Sequence, residues 1–239
     1  MRAEDDARNS SRIAVGAGLL VVLLIAGVVL TALAWRDSRK SETSAVRTAV
    51  PASTMATYSS ICGTEARDFD KPGSDFDAYP KTLPTGVRIV VHDDAGPCQL
   101  DGDVPRGYVF SPKGATLAAL NYVSLMTAGG DGISDVIATL NVPGPATDAM
   151  RADVEARPLT VTDQARVKGF KVVTTSKATE VRVVVAIEFP SEPGVMVAWT
   201  LTLVWQDHDW WVVPMDIAAG WEMSQVTDLA DEGFTEWGF

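Results

Sequence analysis

The longest apolar run of the chain lies between Ile13 and Ala34, where Thr31 is the only polar side chain and Arg12 and Arg36 stand at the two ends. At ~1.5 Å of rise per residue, a helix over this run reaches about 33 Å, against a hydrocarbon core of roughly 30 Å. The pattern therefore predicts a short cytoplasmic tail over residues 1–12 and a transmembrane helix over residues 13–35.

Two other interpretations of the run stay open. Ala32-Leu33-Ala34 has the small-x-small form of a signal-peptidase site, so the segment could be cleaved, although it exceeds the ~7–15 apolar residues of a usual signal peptide. A buried helix of a globular core is the other alternative, but the run has no polar face. An uncleaved anchor agrees best with the pattern.

The next part of the chain contains few large apolar residues. Residues 36–60 are rich in Ser, Thr and Ala, which predicts a flexible tether that keeps the following domain within roughly 25–30 Å of the membrane. Residues 61–110 contain five prolines and predict a loop-rich N-terminal part of the ectodomain, with one strand over residues 87–91.

Helical periodicity begins after Phe110. Ser111-Pro112 supplies a helix N-cap and a first-turn proline, and Lys113 to Ala128 is apolar around nearly its whole circumference, which predicts a buried helix. An apolar stripe over residues 133–140 and another over residues 146–157 predict two shorter helices.

Beyond Pro158 the period changes from 3.6 to 2. Alternating apolar residues over 181–189 and 195–205, preceded by 167–175 and followed by 210–215, predict an antiparallel meander of about four strands. The sequence thus predicts an α+β domain over residues 111–217, in which a curved antiparallel sheet packs on the long helix. Residues 218–239 form a C-terminal segment that either folds back on the sheet or docks a neighbouring subunit.

Several local sequences carry a resemblance to known proteins. The sequences of the predicted strands, from Trp199 to Trp205 and from Trp210 to Pro214, resemble those of the cone-shaped nuclear-transport-factor-like fold. Ile61-Cys62-Gly63, Gly96-Pro97, the stretch from Gly107 through Ser111-Pro112-Lys113-Gly114-Ala115 to Ala119, and Phe234 to Gly238 resemble a family of actinobacterial membrane proteins encoded among conjugative or integrative mobile elements. The resemblance covers roughly residues 61 to 239 and the apolar run.

This resemblance implies a role like that of the bitopic scaffold subunit of type IV secretion systems, which places a similar domain outside the cytoplasmic membrane and needs no cofactor. The partners implied are membrane lipid, other subunits of a membrane transfer complex and further copies of the same chain. Direct nucleic-acid binding is not expected, because the formal net charge is −11 and no basic patch stands out.

The cysteines bear on the cellular compartment. Cys62 and Cys98 are the only two, so one disulfide is compatible with the sequence and would indicate an oxidising environment. Two independent, small apolar side chains are the alternative. Basic residues on the two sides of the apolar run nearly balance, so charge does not set orientation. We expect the N-terminus inside the cell and the C-terminal domain outside the cytoplasmic membrane.

Candidate chemistry is sparse. His208 lies in a predicted hairpin turn, and His92-Asp93-Asp94 could offer a metal ligand or a general base, although a polar strand end explains these residues equally well. The sequence contains no nucleophile elbow, HExxH, phosphate loop or calcium loop motif. We expect no enzymatic activity, no cofactor and no metal.

Aromatic residues near the C-terminus are the candidate interface. Trp199 and Trp205 share a strand face with leucines and are expected in the core, whereas Trp210 and Trp211 alternate, so one of them must lie on the outer face. The complete set of candidate interface residues is Trp210, Trp211, Trp221, Phe234 and Trp237.

The sequence therefore favours a non-enzymatic, membrane-anchored scaffold subunit of a conjugative, type IV secretion-like transfer machine. The alternative is an extracytoplasmic module that binds a ligand or a cell-wall fragment in the cavity of the cone. An open cavity would favour the binding module, whereas a scaffold could have that space filled by side chains.

Overall fold

The computed structural model describes residues 58–65, 69–157, 164–175, 177–215 and 223–238. All of them belong to one compact unit, Thr54–Phe239. The predicted transmembrane helix over residues 13–35 and most of the predicted tether lie outside the described residues.

Two short hairpins come first in the chain. Strand β1 (Tyr79–Thr82) pairs antiparallel with β2 (Arg88–Val91), and β3 (Gln99–Asp101) pairs antiparallel with β4 (Val104–Arg106). Ile89 and Val90 of β2 are fully buried, whereas all four residues of β1 are exposed. The first hairpin therefore rests on the core through β2 alone.

Three helices follow within the described part of the chain: α1 (Pro112–Ala128), α2 (Ile133–Leu140) and α3 (Pro145–Ala156). The predicted start of α1 is confirmed, since the Ser111 hydroxyl accepts a hydrogen bond from the backbone N–H of Gly114 at 3.1 Å and Pro112 occupies the first turn. Every residue of α1 from Gly114 to Thr127 is buried. The long helix is thus enclosed on all sides, as its uniformly apolar sequence predicted.

The main sheet is antiparallel and has the strand order β10-β5-β6-β7-β8. Strand β7 is eleven residues long, so its free edge accommodates β9 along its first half and β8 along its second half. The bounds of the strands are β5 (Arg166–Thr174), β6 (Glu180–Glu188), β7 (Met196–Gln206), β8 (Asp209–Val212), β9 (Met223–Val226) and β10 (Thr235–Glu236).

The core lies between α1 and one face of this sheet. The alternation predicted for β6 and β7 is confirmed, because Val183, Val185, Trp199 and Leu203 are completely buried. The ring of Tyr122 on α1 meets the ring of Trp199 edge-on at 6.1 Å between centroids.

The opposite face of the sheet is partly covered by the chain's own C-terminal segment. Val226 and Phe234 pack there against Ala186 and Ala198 in a separate small cluster. Lys171 extends over the Phe234 ring and donates a hydrogen bond to the Glu232 carbonyl. The residues of this segment that the structure describes thus fold back on the sheet.

The structure corrects the predicted fold class. The described residues form an α+β fold without a membrane-spanning helix, since none of their helices is long and apolar enough to cross a membrane. The longest of them, α1, has 17 residues, against the ~20 that a span needs, and is enclosed by the sheet and the loops instead. A fold class that begins with a transmembrane helix is therefore wrong for the described chain.

Candidate interaction surface

The β7–β8 hairpin is joined to the rest of the fold through a buried carboxylate. Asp207 and His208 form the turn with positive φ angles of 48° and 64°, as the tightest hairpin turns require. Asp209 then points inward and is completely buried. Its Oδ1 accepts hydrogen bonds from the backbone N–H groups of Tyr108 and Trp210 at 3.1 and 2.9 Å.

The other oxygen of Asp209 binds Arg106. Oδ2 accepts from Arg106 Nε at 2.8 Å and from the backbone N–H of Gly107 at 2.9 Å. Arg106 also donates to the Thr139 carbonyl, and its guanidinium lies 4.5 Å from the centre of the Trp211 ring. Because both carboxylate oxygens already accept two hydrogen bonds, this buried ion pair is a structural joint and not a reactive centre.

A short segment, Tyr58–Cys62, crosses the tip of the same hairpin; we name it the strap. The Ile61 N–H donates to the His208 carbonyl at 2.9 Å, and His208 Nδ1 lies 2.9 Å from the Ser59 carbonyl oxygen. Cys62 is joined to Cys98 by a disulfide, with 6.4 Å between the two Cα atoms. His208 thus lies in the predicted exposed turn, where it helps to hold the strap.

Gly107 lies directly beneath this disulfide. It has a φ of +82°, and a Cβ at this position would overlap Cys98 Sγ and lie 3.0 Å from Cys62 Sγ. The position requires glycine for both its backbone angle and its space. The disulfide, Gly107 and the Asp209 joint therefore bring the strap, β4 and the hairpin together at one end of the domain.

The second histidine faces an open cleft of about 640 Å³. His92 is 8% exposed, and its Nε2 lies 2.6 Å from Asp77 Oδ1 while its Nδ1 accepts from the Asp94 N–H at 3.0 Å. A backbone hydrogen bond and the adjacent His92 lower the pKa of Asp77. Through the hydrogen bond at Nδ1 and the ion pair with Asp77, His92 holds the turn after β2.

The described residues contain no group of three or more side chains placed to hold a metal ion. His92-Asp93-Asp94, the one sequence-based metal candidate, is used for turn contacts, since Asp93 accepts a hydrogen bond from the Tyr79 hydroxyl at 2.8 Å. That bond raises the pKa of Tyr79.

Exposed aromatic side chains gather next to the strap. Tyr58 is 41% and Phe69 54% exposed, and both rest on the buried ring of Phe110, at 4.2 and 6.1 Å between ring centroids. Trp205, which was expected in the core with Trp199, is only half-buried, and its ring lies 5.1 Å from that of Phe110. We name Tyr58, Phe69, Phe110 and Trp205 the aromatic patch. A small, mostly apolar cleft of about 170 Å³ opens beside it.

The residues that the sequence predicted as an interface are buried or half-buried wherever the structure describes them. Trp210 is buried in the core, where its Nε1 donates to the Val109 carbonyl, and Phe234 is buried in the cluster on the back of the sheet. Trp211 is half-buried on the outer face beneath Arg106. Trp237 is half-buried and donates to the Phe76 carbonyl at 3.1 Å. Trp221 lies outside the described residues.

Sequence reasoning missed Tyr58 and Phe69. Both occur in polar, proline-rich surroundings that predict a tether or loops, so nothing in their periodicity marks them. The available signal was that each is an aromatic residue between polar neighbours, in a part of the chain that shows no helical or strand periodicity.

Comparison with known families covers most of this domain. A family model matches residues 40–236, which include the strap, the disulfide, the hairpin joint and the aromatic patch. The chain belongs to this family, a domain of unknown function, DUF8175. No curated protein and no solved structure matches it.

Proposed function

We propose that this DUF8175 protein is a non-enzymatic assembly subunit of a conjugative, type IV secretion-like transfer machine. Its domain would work by protein–protein contact on the outer side of the cytoplasmic membrane. The single observation that supports a contact role best is the filled interior between α1 and the sheet.

Leu117, Leu120, Tyr122 and Trp199 are completely buried and fill the space between α1 and the sheet. Two polar side chains in this interior form structural hydrogen bonds: Asn121 pairs with the backbone of Val90, and the Tyr122 hydroxyl donates to Asn141 Oδ1 at 3.1 Å. The filled interior weighs against the ligand-binding alternative.

The position of the disulfide supports the proposed location of the domain outside the cytoplasmic membrane. Cys62 and Cys98 are both exposed, so a reducing cytoplasm would have ready access to the bond, whereas an oxidising exterior would preserve it. The assignment to a transfer machine rests on the sequence resemblance carried by Ser111-Pro112-Lys113-Gly114-Ala115 and the C-terminal Phe234-Thr-Glu-Trp-Gly.

The aromatic patch is the surface we assign to subunit contact. Exposed aromatic rings on a rigid base give a large contact area at low entropic cost, which is why they recur in the centres of interfaces. The buried Phe110 supplies that base, because its ring packs against those of Trp205 and Trp210, at 5.1 and 5.8 Å, and the two tryptophan rings also contact each other.

The test replaces the exposed rings while leaving the base intact. In a conjugating strain, deletion of the gene should reduce DNA transfer, and wild-type protein supplied in trans should restore it. The double variant Tyr58→Ser/Phe69→Ser should restore transfer poorly and should lose partner proteins when purified from solubilised membranes. The matched control is Tyr79→Ser, which removes an exposed aromatic side chain outside the patch.

Undiminished transfer after deletion would refute the role in conjugation. Equal behaviour of the double variant and Tyr79→Ser would refute the assignment of the patch. Protease treatment of intact protoplasts tests the compartment separately, since we expect the domain to be digested from outside.

A further inference from the structure

An open groove of about 530 Å³ lies beside the last turn of α1. Its floor is apolar and consists of the buried side chains of Val104, Leu125, Ile133 and Val136. The β3–β4 turn forms one wall and the start of α2 forms the other. We name it the acidic groove, for the side chains on its rim.

Three carboxylates stand around that floor: Asp101 and Asp103 from the β3–β4 turn, and Asp135 from the first turn of α2. Within the part of the chain that the structure describes, none of them forms an ion pair or a side-chain hydrogen bond, and no Lys, Arg or His lines the groove. Asp103 is half-buried, whereas Asp101 and Asp135 are exposed on the rim beside the apolar floor.

The dipoles of two helices also affect the charge at the groove. The last turn of α1 lines the groove and contains no basic residue, so the negative end of that helix dipole adds to the charge. The positive end of α2 also faces the groove, and Asp135 in its first turn offsets it. The charges of Asp101 and Asp103 do not offset a helix end in this way, so they remain available to a ligand.

We propose that the acidic groove binds a basic segment of a partner protein, in which a Lys or Arg side chain lays its aliphatic stem on the apolar floor and its charged end among the three carboxylates. Long cationic side chains combine these two properties. This inference rests on the proposed function, to which it adds the chemistry of one partner.

The groove is separate from the aromatic patch. Phe110 of the patch immediately precedes α1, whereas Leu125 and Ala128 of the groove belong to its last turn, about 25 Å away for a helix of 17 residues. The N-terminal sequence joins the described fold at Tyr58, within the patch. The two surfaces can therefore engage different proteins at the same time.

Binding can be tested with the full-length chain in a non-ionic detergent and a fluorescein-labelled peptide, Arg-Leu-Arg-Gly-Arg-Gly, followed by fluorescence anisotropy. The groove variant is Asp101→Asn/Asp103→Asn/Asp135→Asn. The matched control, Asp75→Asn/Asp94→Asn/Asp148→Asn, removes three exposed carboxylates elsewhere. Circular dichroism melting confirms that each variant is folded.

A second variant, Gly132→Phe, blocks the groove without changing its charge. A side chain at Gly132 would project into open space, and its φ of −76° suits any residue. We expect the peptide to bind the wild type, to bind the groove variant at least tenfold more weakly, and to lose binding to Gly132→Phe. The control should stay within twofold of the wild type.

Absence of binding to the wild type, equal weakening in the groove and control variants, or unchanged binding to Gly132→Phe would each overturn the proposal. None of these outcomes bears on the aromatic patch, because the DNA-transfer and co-purification results for Tyr58→Ser/Phe69→Ser do not depend on this peptide. The two proposals can therefore fail independently.

Discussion

At the scale of single residues, buried polar side chains complete hydrogen bonds that the backbone leaves open. Asn121 donates to and accepts from Val90 at 2.8 and 2.6 Å, and Gln164 forms the equivalent pair with Arg88. These two side-chain amides form hydrogen bonds with backbone N–H and C=O groups on the edge of β2 that does not pair with β1. Asp209 does the same for three backbone N–H groups around the hairpin, which must be bonded because they are buried.

Asp209→Asn tests the hairpin joint. The amide keeps the shape but loses the charge that pairs with Arg106, and its NH₂ group must face N–H donors. We expect the free energy of unfolding to fall by about 3 kcal/mol, measured by urea denaturation. The matched change Asp207→Asn, in the exposed turn, should alter it by less than about 0.5 kcal/mol. Equal effects would mean that the buried pair adds nothing to stability.

At the scale of elements, glycines decide how closely segments approach one another. Gly114, in the first turn of α1, leaves room for the Val109 carbonyl, which a Cβ would strike. That carbonyl accepts hydrogen bonds from Trp210 Nε1 and from the Ser111 N–H, both at 2.8 Å. The Ser-Pro-Lys-Gly-Ala sequence thus combines a helix cap with a close contact between the helix start and the Val109 carbonyl, which is itself bonded to Trp210 of β8.

Gly107→Ala tests the contact beneath the disulfide. The new methyl group would overlap Cys98 Sγ, so the bridge should form incompletely, and a free-thiol assay of the purified chain should show reactive cysteines. Loss of a bridge across a separation of 36 residues should lower the unfolding free energy by about 3–4 kcal/mol.

Gly102→Ala is the control for backbone strain, because Gly102 has a φ of +60° with open space around it. It should cost about 1 kcal/mol and leave the cysteines bonded. Normal disulfide formation in Gly107→Ala would show that β4 can shift away from the strap without consequence.

At the scale of the whole molecule, one buried helix joins the hairpins, the shorter helices and the sheet. Tyr108 and Tyr122 lie in that common core, where burial raises the pKa of both hydroxyls far above the ordinary value of 10. A phenol whose pKa is raised by folding stabilises the native state only while the unfolded chain keeps the proton as well. The stability from these residues is therefore complete below pH 10.

We expect the free energy of unfolding to fall as pH rises above about 10, by roughly 1.4 kcal/mol per pH unit for each of the two tyrosines. Urea denaturation from pH 9 to 11.5 measures this slope. Tyr122→Phe should reduce the slope by about half. Tyr79→Phe should reduce the slope by less, because its hydroxyl is exposed and its raised pKa comes mainly from one hydrogen bond to Asp93 and not from burial. A flat profile in the wild type would show that the core admits ionised tyrosine.

Periodicity in the sequence was enough to locate the regular elements. The uniformly apolar α1, the stripe of α2 and the alternation of β6 and β7 were predicted within a few residues, because each pattern repeats over several turns or pairs. It was not enough to find the interaction surfaces. Tyr58, Phe69 and the rim of the acidic groove occur in short, irregular segments whose neighbours are set by distant parts of the chain.

The sequence by itself determined the buried faces of α1, α2 and β6, since burial of an apolar stripe needs only local spacing. Tertiary structure decided what the polar and aromatic residues do. Asp209 and Arg106 are about a hundred positions apart, and only the folded chain brings them within 2.8 Å. It also turned Trp210 and Phe234 inward and left Tyr58 and Phe69 outside, because the sheet and the C-terminal segment cover the former pair and nothing described covers the latter.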